Sequence, residues 1–397
     1  MAGEFGIIRK FFCNNFIAYL LLYAQNFLLN RFMPTESLGQ FSYSQSLLVL
    51  FTSVFSMEVY SAYLRYIGFY DEKKLLRMVR KILLVASVLF SIVVFFCFES
   101  PFYALFAGYM WMRERLYFFR SHLDITTYGR IKIIQYLISI SILLCLLAFG
   151  VLDHQSMLIG IGISYVCVSI LYSLNGKARR ELSTSEDLPI ADTREIVRYA
   201  LPLSFNAIVV WVLGAADQML IDTYLDTLML TYYSVGFRII GVIRIGTGVL
   251  MEYWPRFYFE RMERKDFSAV KSMEFIFLGV ATVLCIVSAL FSAPLYRIMG
   301  ASQYVEMRWM FCLLAIAEMF RQWGSIIMTF QSFVKNTSIN ITCLSVLGFS
   351  KLVVNYYSIE RMGVEVLFHS TIICYFLYFL LAIYFGYNKE RNYMRQN

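Results

Sequence analysis

The sequence predicts an all-α fold, a polytopic membrane protein with about twelve transmembrane helices. Hydrophobic residues make up 59% of the 397 and charged residues only 16%, whereas soluble domains sit near half apolar and a quarter charged. The apolar residues gather in runs of roughly 20, the length a helix needs to cross a hydrocarbon core about 30 Å thick. Lysine and arginine collect in alternate connections, as they do in the short cytoplasmic loops of membrane proteins.

The first run, Phe11 to Leu29, follows Arg9 and Lys10 and has no small-residue cleavage site behind it, so it is expected to act as its own insertion signal. Further spans are predicted over Gly39 to Tyr63, Ile82 to Phe98, Phe102 to Phe118, Ile133 to Leu152 and Ser156 to Leu174. The stretch Asn175 to Arg198 is polar and charged and carries Ser183, Thr184, Ser185 and Pro189, the composition of a linker. Six more spans follow: Tyr199 to Tyr224, Met229 to Leu250, Glu274 to Pro294, Met307 to Phe330, Thr337 to Tyr357 and Val364 to Tyr387. The expected organisation is an N-terminal six-helix bundle (1–174), a cytoplasmic linker (175–198), a C-terminal six-helix bundle (199–387) and a cytoplasmic tail (388–397).

Orientation is read from the basic residues. One side holds Arg65, Lys73, Lys74, Arg77, Arg80 and Lys81, then Arg120, Arg130 and Lys132, and later the linker, Arg256 to Lys271, Lys335 and the C-terminal tail. The other side holds little more than Arg31, Arg297 and Arg361, beside acids such as Glu36, Glu99, Asp153 and Asp226. Both termini are therefore expected in the cytoplasm. Loops on the outer side are too short for a separate domain. After the eighth span, Glu252 to Lys271 mixes aromatic and basic residues, which fits an interfacial helix or the aromatic end of a span equally well.

Several function classes lose ground here. The net charge of +8 lies in short loops between apolar runs, not on a solvated basic face, so nucleic acid is not an expected partner. There is no phosphate-binding glycine loop, no HExxH and no CxxC, and the three histidines (His122, His154, His369) are scattered. No catalytic residues, metal ligands or cofactor are expected. The eight cysteines lie in or beside apolar runs without paired spacing, as small core residues do.

What stands out is charge at membrane depth, where an Arg, Lys or Asp costs roughly 2.5 to 3.5 kcal/mol on translocon-type scales and so suggests function. Arg238 lies roughly 14 Å inside the eighth span, too deep to snorkel easily. Asp217, in the outer third of the seventh span, is at a depth that allows an ion pair with Arg238. Glu318 and Arg321, three apart, can neutralise each other. Lys351 and Arg31 either line a vestibule or snorkel, and Arg65 closes the second span with Glu58 two turns earlier. Arg244 has snorkelling as an equal explanation, and Arg113, Glu114 and Arg115 have positive-inside anchoring. Cations outnumber acids, and the surplus points to an anion; guanidinium groups around a cavity between two bundles suit a phosphate or diphosphate. Pro202 permits a bend of the kind transporter helices use around a site. The halves also echo each other, Leu29 to Ser42 lying on Ile221 to Ser234, as a pseudo-two-fold repeat would.

Arg198-Tyr199-Ala200-Leu201-Pro202-Leu203, followed by Trp211, Asp217-Gln218 and Tyr233-Ser234-Val235, resembles the seventh and eighth spans of lipid-linked oligosaccharide flippases. The closest resemblance is to the O-antigen (Wzx-type) branch of the multidrug, oligosaccharidyl-lipid and polysaccharide exporter superfamily. Leu38-Gly39-Gln40-Phe41-Ser42, Pro255 with Asp266, and Lys351-Leu352-Val353-Val354-Asn355 with Gly363 are similar to that family too; Thr231 departs from the glycine usual at its position. The resemblance implies two six-helix bundles around a central cavity, working by alternating access in the bacterial inner membrane. It implies an undecaprenyl-diphosphate-linked sugar repeat as substrate, delivered from the cytoplasmic to the periplasmic leaflet, and polysaccharide polymerase and chain-length proteins as further partners. Under that reading Arg238 takes the diphosphate, Arg31, Arg65, Lys351 and Arg321 are further headgroup candidates, and Asp217, Glu58 and Glu318 are candidate ion carriers. A multidrug or metabolite antiporter of the same superfamily is the alternative, and a membrane polysaccharide polymerase a more remote one.

Overall fold

The computed structural model describes residues 2–66, 69–122, 124–173, 192–334 and 336–396. Its labelled elements are all helices, and eight stretches among the described residues are long and apolar enough to cross a membrane. The chain is an all-α, multi-pass membrane protein.

Two compact units divide it, Met1–Trp211 and Val212–Asn397. The first contains α1 (Ala2–Phe32), α2 (Thr35–Ser56), α3 (Val59–Tyr66), α4 (Glu72–Cys97), a 3-10 turn (Pro101–Phe106), α5 (Ala107–Ser121), α6 (Ile125–Ala148) and α7 (His154–Ser173). Helix α8 (Thr193–Gly214) runs to the unit boundary. The second contains α9 (Ala216–Tyr224), α10 (Thr227–Glu263), α11 (Phe267–Leu290), α12 (Ser292–Ile298), α13 (Arg308–Ile327), α14 (Thr329–Phe333), α15 (Thr337–Met362), α16 (Glu365–Ala382), a π-helical turn (Ile383–Tyr387) and α17 (Asn388–Gln396). Helix starts follow local chemistry. Asp71, Asp124, Asp226 and Asp266 each accept a hydrogen bond from the backbone N–H three residues on, opening α4, α6, α10 and α11.

Within the first unit α1 packs chiefly on α6 and α5 on α7; within the second, α13 packs on α16 and α11, and α16 on α15. With lipid outside, apolar area cannot distinguish helix from solvent, so close backbone approach decides where helices touch. A Cβ on Gly108 would lie 2.7 Å from the Val166 backbone nitrogen, and one on Gly324 would run into the edge of the Tyr378 ring. Gly108→Val and Gly324→Val are expected to force those helix pairs apart, each costing about 1–3 kcal/mol. Lowered thermal unfolding temperatures in detergent would register it; wild-type melting would refute the packing argument.

Two of the expected spans are interrupted, one runs on further, and the expected linker is described only in part. The second span is not continuous: α2 ends at Ser56 and α3 begins at Val59, because Met57 (φ 49°) and Glu58 (φ 52°) are left-handed. The seventh starts at Thr193 and is broken at Ala215 into α8 and α9. The eighth continues through Pro255 to Glu263, so Glu252 to Lys271 is no separate interfacial helix; Trp254 and Tyr258 are buried, and the Trp254 indole N–H donates to the Ile326 carbonyl at 3.2 Å. Finally, the linker assigned to Asn175 to Arg198 falls largely outside the described residues, and its end from Thr193 is already helix.

Candidate functional site

The break in the seventh span organises the polar core of the second unit. Ending α8 at Gly214 frees carbonyls that a continuous helix would use, and starting α9 at Ala216 turns a helix N-terminus toward the same place. Asp217 sits in that first turn, where the helix dipole favours a carboxylate. Its side chain is 1% exposed, and both oxygens are engaged: Lys351 Nζ lies 2.7 Å from Oδ2, Asn355 Nδ2 donates to Oδ1 at 2.9 Å, and the Tyr233 hydroxyl donates to Oδ2 at 3.0 Å. Lys351 also donates to the freed Leu213 carbonyl at 3.3 Å. Lys351 and Asn355 are four apart on α15, so one helix face delivers both. Discontinuous helices in transporters commonly gather carbonyls and carboxylates around a cation. Here the cation is a lysine ammonium supplied by the chain itself.

A second cluster surrounds Glu318 on α13. Its side chain is 2% exposed and is shared by two guanidinium groups, Arg321 Nε at 2.9 Å and Arg244 Nε at 3.3 Å, with the Gln322 amide donating at 2.8 Å. Gln322 is itself tied to Thr247 Oγ1 at 3.0 Å. The Arg244 side chain is 37% exposed and stacks over the Phe237 ring at 4.6 Å. Between the two clusters runs a narrow crevice lined by Tyr233, Arg244, Glu318 and Tyr375; it measures about 10 Å³, room for a water and not for a headgroup.

In the first unit Glu58 pairs with Arg113 at 3.2 Å, and the rings of Tyr60, Tyr117 and Tyr109 lie 5.1, 5.3 and 5.8 Å from that guanidinium. Glu114 is 2% exposed and bridges Arg80 at 3.1 Å and Arg115 at 3.0 Å.

No protein-family model matches the sequence, and no curated protein matches it. Solved structures do. A multidrug resistance MATE family transporter of the MOP superfamily in its inward-facing conformation superposes with a TM-score of 0.75 at 11% identity, over 96% of each chain. A mutant of the Vibrio cholerae MATE transporter VcmN gives 0.65 at 14% identity, covering 100% of this chain and 99% of its own. A MOP superfamily transporter from Pyrococcus furiosus gives 0.59 at 12% identity, over 96% and 95%. The chain shares their fold.

Against that fold the sequence-derived candidates fall into three groups. Asp217 with Lys351, and Glu318 with Arg321, are brought together as ion pairs. Asp217 takes Lys351 as its partner, not Arg238 as its depth suggested, because the helix break points its carboxylate at α15. Arg31 and Arg65 are exposed at the ends of α1 and α3, and Arg238 is half-buried along α10. Glu58 pairs with Arg113, a residue for which anchoring and substrate binding were both open. Gln322 was missed, although its place one turn after Glu318 marks it as a neighbour.

Proposed function

We propose that the protein is a transporter that moves an undecaprenyl-diphosphate-linked oligosaccharide from the cytoplasmic to the periplasmic leaflet of the bacterial inner membrane by alternating access. Both termini lie in the cytoplasm in this reading. One observation carries the choice of an anion: a single buried carboxylate, Glu318, is shared by Arg321 and Arg244, which leaves one positive charge over in that cluster. In low dielectric that charge is costly unless an anion meets it, and the more exposed guanidinium, Arg244, is the one able to do so. Arg238, on the same helix, is the second candidate for the diphosphate, with Arg31 and Arg65 drawing it at the two mouths. The polyprenyl tail stays in lipid while the head follows the cations. An ion gradient or removal of product supplies the energy, as no nucleotide-binding motif is present. Asp217, Glu58 and Glu318 remain the candidate carriers of that ion, and polymerase and chain-length proteins the candidate partners downstream.

The second reading, an ion-coupled multidrug antiporter, is favoured by the multidrug resistance transporter among the structural neighbours. The Pyrococcus furiosus neighbour supports the first by analogy, since a reverse polarity of its binding pocket suggests a different function for that protein.

Vesicles containing the purified protein separate the two. A fluorescent undecaprenyl-diphosphate oligosaccharide is expected to change leaflets while ethidium stays out, and Arg244→Ala is expected to slow the lipid at least about tenfold with folding intact. Ethidium transport without lipid movement would replace this reading by the antiporter. In cells lacking the chromosomal copy, Arg238→Ala is expected to lower surface polysaccharide more than Arg238→Lys does; normal polysaccharide with the alanine variant would remove Arg238 from the mechanism.

A further inference from the structure

The exposed face of α4 carries two grooves in line. At its start Lys73, Arg77, Arg80, Lys81 and Leu84, with Trp111 of α5, line a groove of about 520 Å³, within the range of about 300–1,000 Å³ typical of small-ligand sites. Its walls are fixed from beneath. The Arg80 guanidinium is held by buried Glu114 at 3.1 Å, and the Trp111 indole N–H donates to Ser87 Oγ at 3.1 Å, while that hydroxyl donates to the Leu83 carbonyl at 2.7 Å. Lys73, Arg77 and Lys81 have no ion-pair partner among the described residues. From Ser87 onward a second groove of about 400 Å³ continues along the same helix, lined by Val88, Ile92, Phe95 and Phe96.

Arg77, Lys81, Leu84, Val88, Ile92 and Phe95 follow one another at three- and four-residue steps and therefore form one stripe. The apolar part of that stripe, Leu84 to Phe96, runs roughly 18 Å, a little more than the depth of one leaflet. Positive-inside anchoring explains cations at this end of the helix. It does not require an arginine locked by a buried glutamate.

We propose that this stripe is a lateral docking site for a polyprenyl diphosphate, with the diphosphate among Lys73, Arg77 and Lys81 and the tail laid along Leu84 to Phe96. The site rests on the substrate class proposed above and adds where that lipid is first held. Three cations beside one head select a multiply charged diphosphate over a singly charged phospholipid, and the length of the trough selects a tail longer than one leaflet.

The test uses the full chain in phosphatidylcholine nanodiscs, with binding read by native mass spectrometry for undecaprenyl diphosphate, farnesyl diphosphate and phosphatidylglycerol. Wild type is expected to hold undecaprenyl diphosphate at least about tenfold more tightly than the other two, an advantage of about 1.4 kcal/mol. Arg77→Glu/Lys81→Glu is expected to lose that binding, and Val88→Trp/Ile92→Trp to lose the undecaprenyl advantage while keeping farnesyl diphosphate. All four positions line exposed grooves, and unchanged melting temperatures would verify that the variants fold. Equal binding of phosphatidylglycerol would overturn the site as one for ordinary lipid, and equal binding of the farnesyl compound would overturn the tail trough. If Arg77→Glu/Lys81→Glu binds and moves undecaprenyl diphosphate normally, the docking site is wrong and the substrate class stands. If wild type binds none of the three, both are wrong.

Discussion

Lys351→Met is expected to destabilise the protein by about 3–5 kcal/mol, the usual cost of leaving one member of a buried ion pair behind. The reason lies in what remains. Asp217 would keep its hydrogen bonds from Asn355 and Tyr233 and its place at the start of α9. It would lose the only full positive charge in contact with it among the described residues, at 1% exposure. Adding Asp217→Asn should restore most of the loss, since a neutral amide needs no counter-charge and fits the same space. A double-mutant cycle on thermal unfolding in detergent gives the coupling directly. Additive losses, or a stable single variant, would mean that the pair is not held in the membrane as described.

Glu318→Gln is the second large effect, and its sign is set by charge counting. Removing the carboxylate leaves Arg321 and Arg244 facing each other across a neutral group, with Gln322 donating to nothing charged. A loss of about 3–5 kcal/mol is expected, larger than for Arg244→Ala, which leaves Glu318 still paired with Arg321. Unfolding midpoints of the two variants side by side test that order. Equal midpoints would show that Glu318 is compensated by groups other than these guanidiniums.

Much of this architecture is legible in the sequence because the bilayer constrains it so tightly. A run of apolar residues must close its own hydrogen bonds, so helices follow from hydropathy, whereas the capped starts at Asp71, Asp124 and Asp266 lie in polar sequence ahead of the apolar runs at Ile82, Ile133 and Glu274. The breaks were less visible. Neither Met57-Glu58 nor Ala215 is glycine or proline, and both lie inside apolar stretches that scan as continuous spans. Depth likewise singled out Asp217 but gave it the wrong partner. Asp217 and Arg238 stand at compatible heights, yet height says nothing of azimuth, and the turn at Ala215 directs the carboxylate to α15. Glu318 and Arg321 were paired correctly because three residues of helix fix both height and azimuth. The basic groove on α4 was hidden for a third reason: Trp111 and Glu114 come from another helix, and only packing reveals that they wall and brace it.

The left-handed join at Met57-Glu58 has its own consequence. A left-handed residue with a side chain costs about 1–2 kcal/mol, which glycine would avoid. Glycine there would also delete the carboxylate that grips Arg113 amid its three tyrosines. The elbow thus resembles a bent hinge with a latch set over it: the Glu58 carboxylate that grips Arg113 offsets part of the backbone strain of its own left-handed conformation.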